Sequence, residues 1–128
     1  MTWDQKVDFL VVGSGAAGFS AALRAQSLGL KVLMVEASAQ YGGSTAISGG
    51  VVWIPANPRL PSRGINDSRE DALNYLAHIT RGQVPNERLE AYVDTSKKML
   101  AWMEENTHLH LDSLEKYCDY YPEAPGGK

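Results

Sequence analysis

Apolar positions fall into three regimes along the chain, and each predicts a different kind of element. Val7–Val12 (VDFLVV) is an almost continuous apolar, β-branched run, the pattern of a parallel strand buried on both faces. In the AAGFSAALRAQSLG stretch that follows, Ala17, Ala21, Ala22, Ala25 and Leu28 recur at helical spacing, and Gly29 stands where a helix stops. Lys31–Glu36 (KVLMVE) reads as a second buried strand. Two such strands joined through a helix make a right-handed βαβ unit over residues 7–36.

Residues 37–66 show no sustained period and are rich in Gly and Pro. A loop of about 30 residues is long for a compact domain and is usually functional or disordered; its apolar content opposes disorder. Over residues 67–106 the pattern turns helical. Asp67 is placed as an N-cap with Glu70 three residues on, the capping-box arrangement, and the helix is predicted to end at Gly82. Leu89, Tyr92, Val93, Met99, Leu100 and Met103 then share one broad face, on one helix or two short ones in sequence. Residues 107–128 are predicted to open with a short strand and to end in Pro and Gly. The fold class is therefore α/β: a βαβ unit, a glycine-rich loop and helices. Two parallel strands cannot cover both faces of a doubly wound sheet, so residues 1–128 read as the N-terminal part of an incomplete doubly wound domain.

The chemistry lies at the first strand–helix junction. VVGSGAAG places Gly13, Gly15 and Gly18 in the G-x-G-x-x-G pattern between an apolar strand and a helix, with an acid, Glu36, ending the second strand. Gly13 permits a tight turn, Gly15 lets the backbone approach a pyrophosphate, and Gly18 allows close helix–strand packing. The positive end of the helix dipole and its first-turn N–H groups then face phosphate. Glu36 is positioned to accept hydrogen bonds from a ribose diol, and its charge disfavours a 2′-phosphate. The alternative is a glycine-rich turn and a surface glutamate with no nucleotide. A Rossmann-like dinucleotide site for FAD or NAD is the stronger reading. FAD is favoured because the chain passes from the second strand into ASAQYGGSTAISGG, where small residues let the backbone follow an extended cofactor and Ser44, Thr45 and Ser48 offer hydroxyls. A flexible connector is the other reading of that stretch.

Charge and composition remove several classes. Twelve Lys and Arg against fifteen Asp and Glu, with no basic run, leave no nucleic-acid footprint. The apolar run at the N-terminus is broken at Gly13, too early for a secretory or transmembrane segment. A lone cysteine, Cys118, forms no internal disulfide and fits a reducing, cytoplasmic compartment. His78, His108 and His110 read as helix-surface and strand-edge residues, and no metal site is expected.

DFLVVGSGAAGFSAALRAQSLGLKVLMVEA together with YGGSTAISGGVVWIP resembles the N-terminus of the FAD-dependent fumarate reductase and succinate dehydrogenase flavoprotein superfamily. SGGVVWIPANP, DSREDALNYL and KYCDYYPEAPGG are similar to the 3-ketosteroid Δ1-dehydrogenases within it. The resemblance implies bound FAD, a 3-ketosteroid substrate and 1,2-desaturation of the A ring: a base takes the C2 proton and the C1 hydrogen leaves as hydride to the flavin N5. It implies FAD contacts at Gly13, Ser14, Gly15, Ala16, Ala17, Gly18, Glu36, Ala37, Ser38, Gly43, Ser44, Thr45, Ser48, Gly49 and Gly50. Ser44 and Thr45 stand where respiratory members carry the covalent-flavin histidine, which implies non-covalent FAD. Tyr121 matches the second tyrosine of the DYYP segment and is implied to support the catalytic base, with Tyr120 as second choice; without the resemblance, two adjacent tyrosines before a proline are most often surface packing. The principal tyrosine base lies in later parts of the family's chain. A fumarate-reductase-like ene reductase and a catalytically inactive fragment are the alternatives. Neither the electron acceptor nor the oligomeric state is indicated.

Overall fold

The computed structural model describes residues 4–114 and 116–128; Met1–Trp3, and Glu115 of the predicted substrate-side segment, lie outside the described residues. The chain divides into two compact units, residues 1–52 and 53–128.

The first unit is the predicted βαβ. Strand β1 (Phe9–Val12) and strand β2 (Val32–Val35) pair in parallel, with Phe9 opposite Val32 and Val12 opposite Val35, and helix α1 (Ala16–Ser27) makes the crossover. Asp8 fixes the entry of the pair: its N–H donates to the Lys31 carbonyl and its carboxylate accepts the Lys31 N–H, both at 2.9 Å. Helix α1 ends at Ser27 and the chain leaves it through Gly29 at φ +81°. Both strands are shorter than predicted, and burial on both faces is not observed. Val11 is buried against α1, whereas Leu10 and Val12 are exposed, Val12 to 80%. The cause is geometric: the sheet has two strands, and α1 covers one face of it. After β2 a single helical turn, α2 (Gly43–Ala46), interrupts the glycine-rich loop.

The second unit is built on two helices, α3 (Arg69–Thr80) and α4 (Asn86–Asn106). The predicted cap of α3 shifts by one residue. Ser68 Oγ accepts the Asp71 N–H at 3.0 Å, and Asp67 turns away to accept the Ala56 N–H at 2.6 Å. Asn86–Asn106 form one helix, with Pro85 at its N-cap, where a missing N–H costs nothing. Leu89, Val93, Ser96 and Leu100 form its buried stripe and meet Ala72 and Tyr75 of α3; Val93 is fully buried. Burying such a side chain contributes about 1.5–3 kcal/mol. Tyr92 and Met99, expected on the same face, are exposed at its border. Arg69 clamps the helix pair from outside, with Nε and Nη2 on the two Asp94 oxygens at 2.7 and 2.9 Å.

No strand forms over residues 107–114. Their donors go to side chains instead: Leu109 N–H to Thr107 Oγ1 at 3.0 Å and Leu111 N–H to Glu104 Oε1 at 3.2 Å. The Glu104 carboxylate and the Leu111 carbonyl also bind Arg59, which ties this segment to the loop before α3. His108 and His110 are therefore exposed loop residues and not strand-edge ones.

Candidate cofactor site and tyrosine turn

The glycine turn sits at the C-terminal end of β1. Gly13 takes φ +95°, a conformation that disfavours any residue with a Cβ, and its N–H donates to the Val35 carbonyl at 2.8 Å. Gly15 is the N-cap of α1 and offers no side chain to satisfy the first-turn donors. A Cβ on Gly18 would lie 2.1 Å from the Gly13 carbonyl oxygen, so only glycine lets the helix descend onto the turn. The start of α1 thus presents backbone donors and the positive end of a helix dipole, with no acidic residue in its first turn.

Glu36 stands just past β2 and is tied to this turn. Its Oε2 accepts both the N–H of Ser14 at 2.9 Å and its hydroxyl at 2.5 Å, while Oε1 accepts the Ser38 N–H at 2.9 Å. The hydrogen bond from the Ser14 hydroxyl is the main cause that lowers the Glu36 pKa from 4.5 to about 2, with the Ser38 and Ser14 N–H groups adding to it. The carboxylate is an anion at any physiological pH.

Ser14 is the link that sequence reasoning underused. It is almost fully buried, donates to Glu36, and accepts the Gly42 N–H at 2.9 Å. Thr45 Oγ1 accepts the Ala16 N–H at 3.1 Å and so acts as a remote cap on α1. Through these two hydroxyls the structure brings together Gly13–Gly18, Glu36–Ser38 and Gly43–Thr45, three of the predicted groups. Ser48, Gly49 and Gly50 lie beyond α2 and are tied locally: Ser48 Oγ donates to the Thr45 carbonyl at 2.9 Å and accepts the Gly50 N–H at 3.2 Å.

A dinucleotide fits this arrangement. The Gly15 position is open, since a Cβ there would meet only Thr45 Oγ1 at 4.0 Å, and an anionic acceptor faces the same turn. The residues fit a pyrophosphate at the helix start and a ribose diol at Glu36.

Tyr121 belongs to the second unit. As whole residues, it is 55% exposed and Tyr120 85%. Both sit on a turn whose base is closed by Asp119: the Asp119 N–H donates to the Lys128 carbonyl at 2.7 Å, and its Oδ2 accepts the Lys128 N–H at 3.0 Å. Asp119 Oδ1 accepts the Trp53 indole N–H at 2.7 Å. Trp53 stacks on Tyr92, with ring centroids 6.0 Å apart, and packs tilted against Tyr75 at 5.6 Å. Among the described residues there is no His, Cys, Asp and Glu cluster able to hold a metal. No described helix is long and apolar enough to cross a membrane.

The sequence model of the FAD binding domain family matches residues 8–126. The chain is 49% identical to the 3-oxosteroid 1-dehydrogenase of Mycobacterium tuberculosis over 97% of its own length and 22% of that protein's. It is 40% identical to the Comamonas testosteroni 3-oxosteroid 1-dehydrogenase over 98% of the chain and 22% of the relative. Among solved structures it is similar to the 3-ketosteroid Δ1-dehydrogenase of Sterolibacterium denitrificans in complex with 1,4-androstadiene-3,17-dione. That likeness has a TM-score of 0.89 and 45% identity, and covers 95% of this chain and 21% of the other. The chain spans about a fifth of the length of the curated relatives it matches.

Proposed function

The chain belongs to the FAD binding domain family, and from that premise we propose that it is the FAD-holding part of an enzyme that introduces a double bond between C1 and C2 of 3-ketosteroids. The observation that carries the reading is 49% identity sustained over 97% of the chain, long enough to include both the glycine turn and the tyrosine turn.

The Gly13–Gly18 turn holds the pyrophosphate through backbone N–H groups and the α1 dipole, needing no cationic side chain. Glu36, with Ala37 and Ser38 beside it, takes the ribose diol. Gly43, Ser44, Thr45, Ser48, Gly49 and Gly50 run along the flavin side, and Ser44 and Thr45 keep the cofactor non-covalent. FAD supplies the hydride acceptor when bound. Tyr121 supports the base that removes the C2 proton, which the neighbouring 3-keto group acidifies. Its hydroxyl, which both donates and accepts hydrogen bonds, does this by relaying or stabilising a proton. The lone Cys118 supports a reducing, cytoplasmic setting.

The test is expression of the full reading frame containing residues 1–128 and assay of a 4-ene-3-one steroid with an artificial electron acceptor. Steroid-dependent flavin bleaching with formation of the 1,4-diene is expected. A flavin that no 3-ketosteroid reduces would overturn the proposal, and reduction of an unsaturated dicarboxylate instead would assign an ene reductase.

A further inference from the structure

We infer that Tyr75, Trp53 and Asp119 form a clasp that positions Tyr121 for the reaction, an inference that rests on the reading of Tyr121 above. The turn bearing Tyr121 is fixed along its main chain. The Tyr121 N–H donates to the Tyr75 hydroxyl at 3.3 Å, and its carbonyl accepts the Ala124 N–H at 3.0 Å. Two residues earlier, Asp119 commits both carboxylate oxygens, one to the Trp53 indole and one to the Lys128 N–H.

The parts that do the holding are rigid. Tyr75 rises from α3 and is only 4% exposed. Trp53 is held between the Tyr75 and Tyr92 rings, and its own carbonyl accepts the Tyr92 hydroxyl. The returning limb is pressed onto α3: a Cβ on Gly126 would come within 2.0 Å of the Asp71 carbonyl oxygen. The backbone of Tyr121 is thus pinned at donor and acceptor by buried groups, while the residue as a whole stays half exposed. A tyrosine serving only to cover apolar surface shows the reverse, with a buried ring on a backbone free to vary. Pinning of this kind presents a phenol at a fixed place, and a displacement of about 1 Å of a reacting group costs up to about 100-fold in rate.

The test uses Y75F and D119N, alone and combined with Y121F, in the full-length enzyme. Each single variant is expected to lower kcat about tenfold while KM for the steroid stays within about twofold, the split of a group acting after substrate binding. Flavin absorbance and Tm should show a loaded, folded protein, and amide hydrogen exchange in the peptide 119–128 should speed up. In the Y121F background neither substitution should lower kcat further. Losses that multiply with that of Y121F, or single variants with unchanged kcat, would overturn the clasp. Full kcat in Y121F itself would withdraw the role of Tyr121 and the clasp with it. Should D119N fail to accumulate, Y75F, which removes one oxygen atom, decides the matter.

Discussion

Two glycines three residues apart are predicted to fail in opposite ways when each is changed to alanine. At Gly18 the new methyl would stand 2.1 Å from the Gly13 carbonyl oxygen and 3.1 Å from its carbon. Ordinary contact begins near 3.4 Å, so α1 must retreat by about 1.3 Å, or the turn must open by as much. The obstacle is backbone, which has no rotamer to yield, so the cost lies toward the upper end of the roughly 1–3 kcal/mol typical of overpacking. Gly18→Ala should therefore destabilise the apoprotein and weaken FAD as well. At Gly15 the φ of −71° suits any residue, and the added methyl meets nothing closer than Thr45 Oγ1 at 4.0 Å. Gly15→Ala should leave apoprotein stability within about 0.5 kcal/mol of the parent. Its methyl points into the space assigned to the pyrophosphate, so FAD affinity should fall by tenfold or more, about 1.4 kcal/mol. Urea titration of the apoprotein and flavin-fluorescence titration with FAD, both on the full-length protein, separate the two effects. Unchanged FAD affinity in Gly15→Ala would refute the placement of the pyrophosphate. An apoprotein of parental stability in Gly18→Ala would refute the packing argument.

Other outcomes follow from single contacts. Because the folded pKa of Glu36 is depressed from 4.5 to about 2, its stabilising contribution is fully present above 4.5 and disappears as pH falls through that window; the urea midpoints of the parent and E36Q should differ at neutral pH and converge near pH 2. Ser68→Ala removes the cap of α3 and should cost about 1 kcal/mol, read as a lower Tm, whereas Asp67→Ala should leave the helix terminus capped. Ser96 Oγ is buried on the α4 stripe without a hydrogen-bond partner among the described residues. Ser96→Ala should accordingly be neutral or stabilise by up to about 1 kcal/mol, checked by denaturant midpoint.

The βαβ unit was legible because its signals are local: an unbroken apolar strand, a glycine turn, an alanine-rich helix and an acid at the end of the second strand. Local signals gave less at the ends of elements. Asp67 and Ser68 are both good caps, and only the contact of Asp67 with Ala56 decides between them. The strand expected near His108 failed because its donors find Thr107 and Glu104, a choice made by side chains and not by pattern. Burial of β1 was misjudged because an apolar run states what a strand requires and not how many neighbours flank it. At the site, Glu36 was visible from spacing. The double role of Ser14 and the bond between Trp53 and Asp119 join residues 28 and 66 positions apart, and no periodicity encodes them.

That last separation has a consequence for the order in which the protein is made. At about 5–20 residues per second, a ribosome adds Asp119 roughly 3–13 seconds after Trp53. Most of that interval is spent making α3 and α4 themselves; α4 is complete at Asn106, 13 residues or about 0.7–2.6 seconds ahead of Asp119, and until Asp119 is added the indole N–H has no carboxylate to meet. The helix pair of the second unit can thus assemble first, and the tyrosine turn is the last piece to lock, on a platform that waits for it.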